Sequence, residues 1–352
     1  MNSYTLNRLS INKKFVFSFF LIFLFLFLQG CEPSSKQEKF QEVLLQGKTM
    51  GTTFTVKVFV PNSQVRSLNL FSDVQDLLAN INQSMSTYID DSEISRFNRL
   101  DANTIFPISN DFRTVMSESI RLGNSTKTLD VTMGPLIDLW GFGPDKMPTK
   151  VPSESDLTAI QTRMGIDKLS LSKAGLTKSV QELELSLSAI AKGFGVDKVA
   201  QLLEENGFTN YMVEIGGELR LSGKKPNGDL WAIAIEQPDP TLMQRAVHRT
   251  LKLGTISVAT SGDYRIFYEL DGTTYAHIIS PETGKPIKQD LVSVTVLHPS
   301  SMTADALATA LTVMGTEKAK VYAQDNDLAV YLISKTSDGL QTYSSPKFEP
   351  YL

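Results

Sequence analysis

The sequence predicts an α+β fold, and three observations predict it. Short runs of alternating apolar and polar residues mark half-buried strands. These are Phe54, Val56, Val58 and Val60, then Leu183, Leu185 and Leu187, then Trp231, Ile233 and Ile235, then Val292, Val294 and Val296. Gly216-Gly217 and Asp271-Gly272 are hairpin turn signals. Between them lie segments whose apolar residues recur at helical spacing, such as Val74, Leu77, Leu78, Ile81 and Met85.

The strand signals concentrate in residues 260–287. Ser261-Gly262-Asp263 opens a turn, residues 264–270 form a β-prone aromatic run, and Asp271-Gly272 reverses the chain. A returning strand over 273–279 carries His277, and Ser280-Pro281 through Gly284-Lys285-Pro286 closes a tight loop. Ser261, Asp263, Arg265, His277, Thr283 and Lys285 crowd the two mouths of this hairpin. Loops held by a rigid hairpin are where binding groups sit; taken alone, the stretch also reads as an ordinary surface hairpin.

The N-terminus reads as an address label. Arg8, Lys13 and Lys14 form a positive region, and residues 15–28 form an apolar stretch too short to span a bilayer comfortably. It ends in Leu28-Gln29-Gly30-Cys31, which is similar to the lipobox of bacterial lipoproteins, where the cysteine becomes the lipidated first residue. The expectation is a lipoprotein signal peptide over 1–30, lipidation at Cys31 and a polar tether over 31–45. The alternatives are an uncleaved anchor, or a cleaved signal without lipid. Cys31 is the only cysteine, which excludes an intramolecular disulfide. Losing residues 1–30 removes three of 34 basic residues and none of 38 acidic ones, leaving 31 against 38 and a net charge near −7. That balance argues against nucleic acid as a partner. The mature length suffices for a buried core in one large or two intimate domains.

In chain order, Met50-Gly51-Thr52 stands at the entrance of the first strand. Asn62 or Ser63 is expected to cap a helix with Val65, Leu68 and Val74 on its apolar face, ending at Ser86. Tyr88 on the following loop is placed to stack on a flat ligand or to pack. Ser109 begins a helix running to about Thr126, which delivers the chain to Thr128, Leu129 and Asp130 and then to the glycine-bounded aromatics Trp140 and Phe142. Residues 144–152 are a candidate subdomain boundary. A short helix after Pro152 and a Lys173-Ala174-Gly175 turn follow.

Two places suggest chemistry. After the predicted strand at 183–187 come Ser188, Ala189, Ile190 and Ala191, then a helix that buries Val199, Leu202 and Leu203 and ends at Gly207. A strand, small residues and a helix N-terminus make an anion site, and Lys192 adds positive charge for phosphate; many strand–helix turns share this pattern. Near the C-terminus, Asp305 and Thr309 are four apart and share a helix face. Among alanines, a carboxylate and a hydroxyl leave room for a hard cation with oxygen ligands. A helix-N-terminal Asp favoured by the macrodipole, with an incidental Thr, explains the same spacing.

Taken together, these segments resemble one family, the bacterial flavin transferases of the ApbE type, which move FMN from FAD onto proteins. The likeness runs from about Gln46 to the C-terminus. It rests on MGTTF at Met50, MSTYIDDSEISRFN around Tyr88, LDVTMGPLIDLWGFG at Leu129, LSAIAKGFGVD at Leu187, EIGGELRLSG at Glu214, SGDYR at Ser261, HIISPETGKP at His277 and TADALATAL at Thr303. Ser186 and Ser280 stand where the family pattern has Asp.

The resemblance implies an α+β fold with mixed and antiparallel sheets flanked by helices. It implies that Met50, Tyr88, Thr128, Leu129, Asp130, Ser186, Lys192 and Ile279 line an FAD site. It implies that Ala189 and Ala308 through backbone carbonyls, with Asp305 and Thr309 through side chains, hold Mg2+. His277 and the loop from Ser261 to Arg265 match the mouth where the acceptor enters. The implied reaction is Mg2+-dependent transfer of FMN from FAD to a Thr or Ser hydroxyl of a target protein, releasing AMP. Asp305 and His277 are its expected catalytic residues, His277 as general base or orienting group. With water as nucleophile the same site is an FAD pyrophosphatase; without turnover it is a lipid-anchored FAD carrier. The implied partners are FAD and target flavoproteins such as membrane or periplasmic electron-transfer subunits, met at the periplasmic face of the bacterial inner membrane.

Overall fold

A computed structural model describes residues 39–63, 69–144, 150–238, 246–262, 267–270 and 272–352. The signal segment, Cys31 and the loop residues Asp263 and Arg265 lie outside the described residues.

The first hairpin joins β1 (Phe40–Thr49) to β2 (Thr52–Pro61), antiparallel from Phe40↔Pro61 to Thr49↔Thr52. Met50 and Gly51 make the turn with φ 48 and 70; positive φ at both central residues matches the twist of the flanking strands. Phe54, Val56, Val58 and Val60 are buried, as their alternation predicts. Residues 40–45, expected in the tether, belong to β1. Val43 and Leu45 pack on the main core there, while Glu42 and Leu44 face outward and blur the alternation.

The next helix, α1 (Leu70–Met85), has Asn69 at its N-cap rather than Asn62 or Ser63; Val65 and Leu68 lie outside the described residues. There follow α2 (Glu93–Asn98) and α3 (Asn110–Thr126), the latter capped by Ser109 as expected. Beyond α4 (Gly134–Leu139), α5 (Glu154–Gln161) starts at Ser153 with a capping box. Met133, Leu136 and Trp140 share one small core with Leu157, Met164 and Ile279. The segments on either side of 144–152 thus pack together, and residues 40–352 form one compact unit.

After the ribbon of β3 (Leu169–Ser172) and β4 (Gly175–Lys178), residues 183–187 are extended but are not a sheet strand. Their backbone bonds go elsewhere. Leu185 N–H donates to Asn98 Oδ1, Asn98 Nδ2 donates to Leu185 O, and Ser186 N–H donates to Val131 O. Buried Lys178 anchors the same stretch by donating to Asn98 O and Leu183 O.

The remaining elements are α6 (Ala191–Glu205), β5 (Tyr211–Ile215), β6 (Glu218–Ser222), β7 (Trp231–Glu236), β8 (Val247–Leu253), β9 (Ile256–Gly262), β10 (Phe267–Leu270), β11 (Thr273–Ala276), β12 (Leu291–His298), α7 (Ser301–Met314), α8 (Thr316–Asp325), β13 (Ala329–Thr336) and β14 (Gly339–Ser344). Among the described residues, eight strands form one sheet in the order β1-β2-β5-β6-β9-β12-β13-β14, antiparallel at every pair. One face buries Val56, Tyr211, Val213, Val296 and Leu332 under α1, α3, α6 and α7. The other buries Leu221, Val258, Leu297 and Ile333 under the β7–β8 ribbon. Alternate residues of each strand serve the two faces. The expected face shared by Val292, Val294 and Val296 is broken, because a bulge between Leu291 and Ser293 turns Val292 to the ribbon side. The expected hairpin is β10–β11, in register from Phe267↔Ala276 to Leu270↔Thr273; Asp271 itself lies outside the described residues.

Candidate active site

The turn at Ser188-Ala189-Ile190 leads the extended 183–187 stretch into α6. Leu187 O accepts from Ile190 N–H and Ala191 N–H, and Ile190 O accepts from Phe194 N–H. Gly193 N–H, in the first turn and without an acceptor in its own helix, donates to Asp305 Oδ2 on α7 at 2.9 Å. Among the described residues no donor reaches the Ala189 carbonyl. The helices come this close because residue 193 is glycine: a Cβ there would lie 2.3 Å from Ser301 O and 2.8 Å from Asp305 Cβ.

Charge gathers at that crossing. Asp305 is 1% exposed, and its Oδ1 lies 3.7 Å from Lys192 Nζ. The same ammonium lies 3.4 Å from Oε1 of Glu218, which is 4% exposed and opens β6. Glu218 Oε2 is buried with no hydrogen-bond partner among the described residues. Burial pushes the Glu218 carboxyl up to about 8, with Lys192 opposing and Asp305 adding to the rise. Burial also raises Asp305, against the pull of Lys192 and of the Gly193 amide. For Lys192, burial would lower the ammonium, but Asp305 and Glu218 outweigh it and hold it above its ordinary value.

The neighbours are packed to fit. Gly216, at φ 58, would bring a Cβ within 2.8 Å of Thr52 Cγ2 and 3.2 Å of Lys192 Cδ. A Cβ on Gly195 would lie 3.0 Å from Met50 Cε. Met50, Lys192 and Asp305, far apart in sequence, thus share one location. Thr309 lies one turn beyond Asp305 on the same helix face, its Oγ1 3.2 Å from Ser261 Oγ. The buried Ala308 carbonyl, on the same helix, accepts from Thr312 Oγ1 at 2.8 Å.

A strip of backbone borders this cluster. Thr128 Oγ1 donates to Ala310 O at 2.9 Å, and Ser186 Oγ lies 3.3 Å from Ser188 Oγ. Asp130 Oδ1 accepts from Thr132 N–H at 2.8 Å and Thr132 Oγ1 at 2.6 Å; burial raises this carboxyl against those two bonds. The Leu129 side chain points into the main core, leaving its backbone to the strip. His277 belongs to a different set of contacts. It sits at a bend after β11 rather than within the expected strand, its ring 6.4 Å from Phe142 and edge-on to it. Phe142 packs on Tyr268, and its carbonyl lies 3.5 Å from the hydroxyl of exposed Tyr88. Ile279 is buried beside Trp140 and bridges to Pro286; Trp140 Nε1 donates to Gly284 O at 2.8 Å.

A family model described as the ApbE family matches residues 50–332. The chain belongs to the ApbE family. An FAD:protein FMN transferase of Vibrio cholerae serotype O1 is 46% identical over 328 residues, covering 93% of this chain and 96% of the relative. One from Haemophilus influenzae is 46% identical over 344 residues, covering 96% and 98%. The solved flavin transferase ApbE from Vibrio cholerae superposes with a TM-score of 0.83 at 45% identity, covering 89% of this chain and 100% of that one.

ApbE membership raises the question of whether these residues suit a hard cation. Among the described residues no three His, Cys, Asp or Glu are grouped to hold a metal. The donors on offer are mixed oxygens: the Asp305 carboxylate, the Thr309 hydroxyl and the open Ala189 carbonyl. The buried Glu218 Oε2, without a hydrogen-bond partner among the described residues, leaves room beside them for a further donor or cation. That set fits Mg2+, which takes few protein oxygens and shares the rest with water and phosphate. Two contributors escape the sequence-level site. Glu218 reads as an outward residue beside Leu219 and Leu221, and only its pairing with Ile215 after two left-handed glycines turns it inward. Asp197 accepts from Ser300 Oγ, Ser301 N–H, Met302 N–H and Arg220, and so pins the start of α7.

Proposed function

We propose that this chain transfers FMN from FAD to a Ser or Thr hydroxyl of a partner protein, releasing AMP. The observation that carries the reading is Lys192 set between Glu218 and Asp305 where α6 begins, beside an open carbonyl. Splitting a pyrophosphate requires neutralised phosphate charge and an in-line nucleophile. Lys192 and the α6 N-terminus aim positive charge at a phosphate. Asp305 and Thr309 through their side chains, with the Ala189 and Ala308 carbonyls, would hold Mg2+, which when bound draws charge from phosphate oxygens and eases departure of AMP. Met50, Tyr88, Thr128, Asp130, Ser186 and Ile279 are the FAD-contact residues of this reading, with Leu129 acting through its backbone. His277 orients the incoming hydroxyl or takes its proton as the oxygen bonds phosphorus. The old P–O bond breaks, and its electron pair leaves with AMP.

The acceptors fitting this reading are exported or membrane flavoproteins, reached from a lipid anchor at Cys31 on the periplasmic face of the inner membrane. The test incubates the full chain in detergent with FAD and Mg2+, with and without such an acceptor, and reads both by mass spectrometry. FMN added to the acceptor, with one AMP released per adduct, is the expected result. AMP and free FMN without adduct would make the protein a pyrophosphatase; no AMP at all would make it a carrier.

A further inference from the structure

Resting on the transfer reading, we propose that Glu218 is a positioning residue: it holds Lys192 off Asp305, so that the Asp305 carboxylate stays open to a divalent cation. Lys192 Nζ lies 3.4 Å from Glu218 Oε1 and 3.7 Å from Asp305 Oδ1. Asp305 is itself fixed, because Gly193 N–H holds Oδ2 and leaves Oδ1 as the oxygen facing the ammonium. Glu218 is fixed from the other side by its register opposite Ile215 and by the Gly216-Gly217 turn. The Lys192 stem passes over Gly216, where a Cβ would come within 3.2 Å of its Cδ.

A lysine is a compact charge on a flexible stem and settles on the nearest counter-charge. Here two carboxylates compete for one ammonium. At a pH where Glu218 is ionised, one negative charge is matched by Lys192 and the other remains for a cation. Without Glu218, Asp305 is the remaining carboxylate beside Lys192. The ammonium then closes the short gap to Oδ1 and occupies the oxygen the cation needs.

The test measures Mn2+ binding by electron paramagnetic resonance on the full-length, FAD-free protein and on Glu218→Gln, Lys192→Met and the double variant. If each charge acted on Mn2+ independently, Lys192→Met would tighten binding by the same factor with or without Glu218. The positioning role predicts coupling: Lys192→Met should tighten Mn2+ about tenfold more in the Glu218→Gln background, a difference of about 1.4 kcal/mol. Factors that agree within about twofold would overturn the inference, by the usual limits of additivity. If Glu218→Gln does not fold by circular dichroism, Glu218→Asp, which withdraws the carboxylate by one methylene, is put through the same cycle. FAD titration of the wild-type protein keeps the two ideas apart. Absent FAD affinity would sink the transfer reading, while the Mn2+ cycle decides the role of Glu218.

Discussion

Gly193 donates its backbone N–H to Asp305 Oδ2 at 2.9 Å, and this bond sets the separation of α6 and α7 where the charges meet. As the third residue of α6, Gly193 has an N–H with no partner in its own helix, and the neighbouring carboxylate satisfies it.

Gly193→Ala should therefore damage fold and site together. The new Cβ would meet backbone at Ser301 O, 2.3 Å away, which cannot swing aside as a side-chain tip can. Overpacking of this kind costs about 1–3 kcal/mol. The expected result is a lower melting midpoint and a loss of FMN transfer larger than the loss of folded protein explains. An unchanged midpoint in differential scanning calorimetry would show that the helices part freely.

Asp305→Ala should lower FMN transfer by roughly a hundredfold or more, the scale of electrostatic stabilisation of a transferring phosphoryl group. Thr309→Ala should cost less, since water can replace a neutral oxygen. FAD affinity should survive both better than turnover. Steady-state transfer across a Mg2+ titration is the check; wild-type rates from Asp305→Ala at low Mg2+ would put the metal elsewhere.

Asn98→Ala should loosen the strip that carries Ser186. It removes both partners of the Leu185 backbone, at 2.8 and 3.0 Å. Each buried group left unpaired costs about 1–3 kcal/mol. Urea unfolding should show an earlier midpoint, and titration a weaker grip on FAD. Lost stability with intact FAD affinity would confine Asn98 to the fold.

The Glu118 carboxyl supplies a pH dependence. Burial pushes it up, but hydrogen bonds from Arg121 and Thr303, with the charges of Arg121 and His298, outweigh that and hold it below its usual 4.5. A carboxyl depressed in the folded state contributes stability that is full above the unfolded value and lost as pH falls through the folded one. Thr303 Oγ1 donates to Glu118 Oε1 at 2.7 Å, so protonation weakens the tie between α3 and the first turn of α7. Melting midpoints should fall as pH drops below about 4.5, and Glu118→Gln should flatten that slope. Identical acid profiles for the two proteins would contradict this.

Cys31→Ser should abolish incorporation of labelled palmitate and leave the chain soluble or with its signal uncleaved. The motive is Leu28-Gln29-Gly30 directly before the cysteine. Label retained on the Cys31→Ser protein would remove the anchor from the proposal.

Much of this protein is legible locally. The alternation at Phe54–Val60 and Trp231–Ile235, the caps at Ser109 and Ser153, the Gly216-Gly217 and Asp271-Gly272 turns and the shared face of Asp305 and Thr309 each follow from a few neighbouring residues. Periodicity and turn chemistry act within such windows. The run of quoted motifs was enough for the family. Only the tertiary structure decided the rest. Leu183, Leu185 and Leu187 alternate like a strand, yet among the described residues the stretch makes only a single parallel bridge, Met133 to Glu184, and the Asn98 side chain takes the Leu185 backbone bonds. Residues 40–45 look like tether until β2 pairs with them. Glu218 turns inward to Lys192. The physical reason is the same throughout. A buried donor, acceptor or charge takes whichever partner the fold brings against it, and those partners come from segments up to a hundred or more residues away.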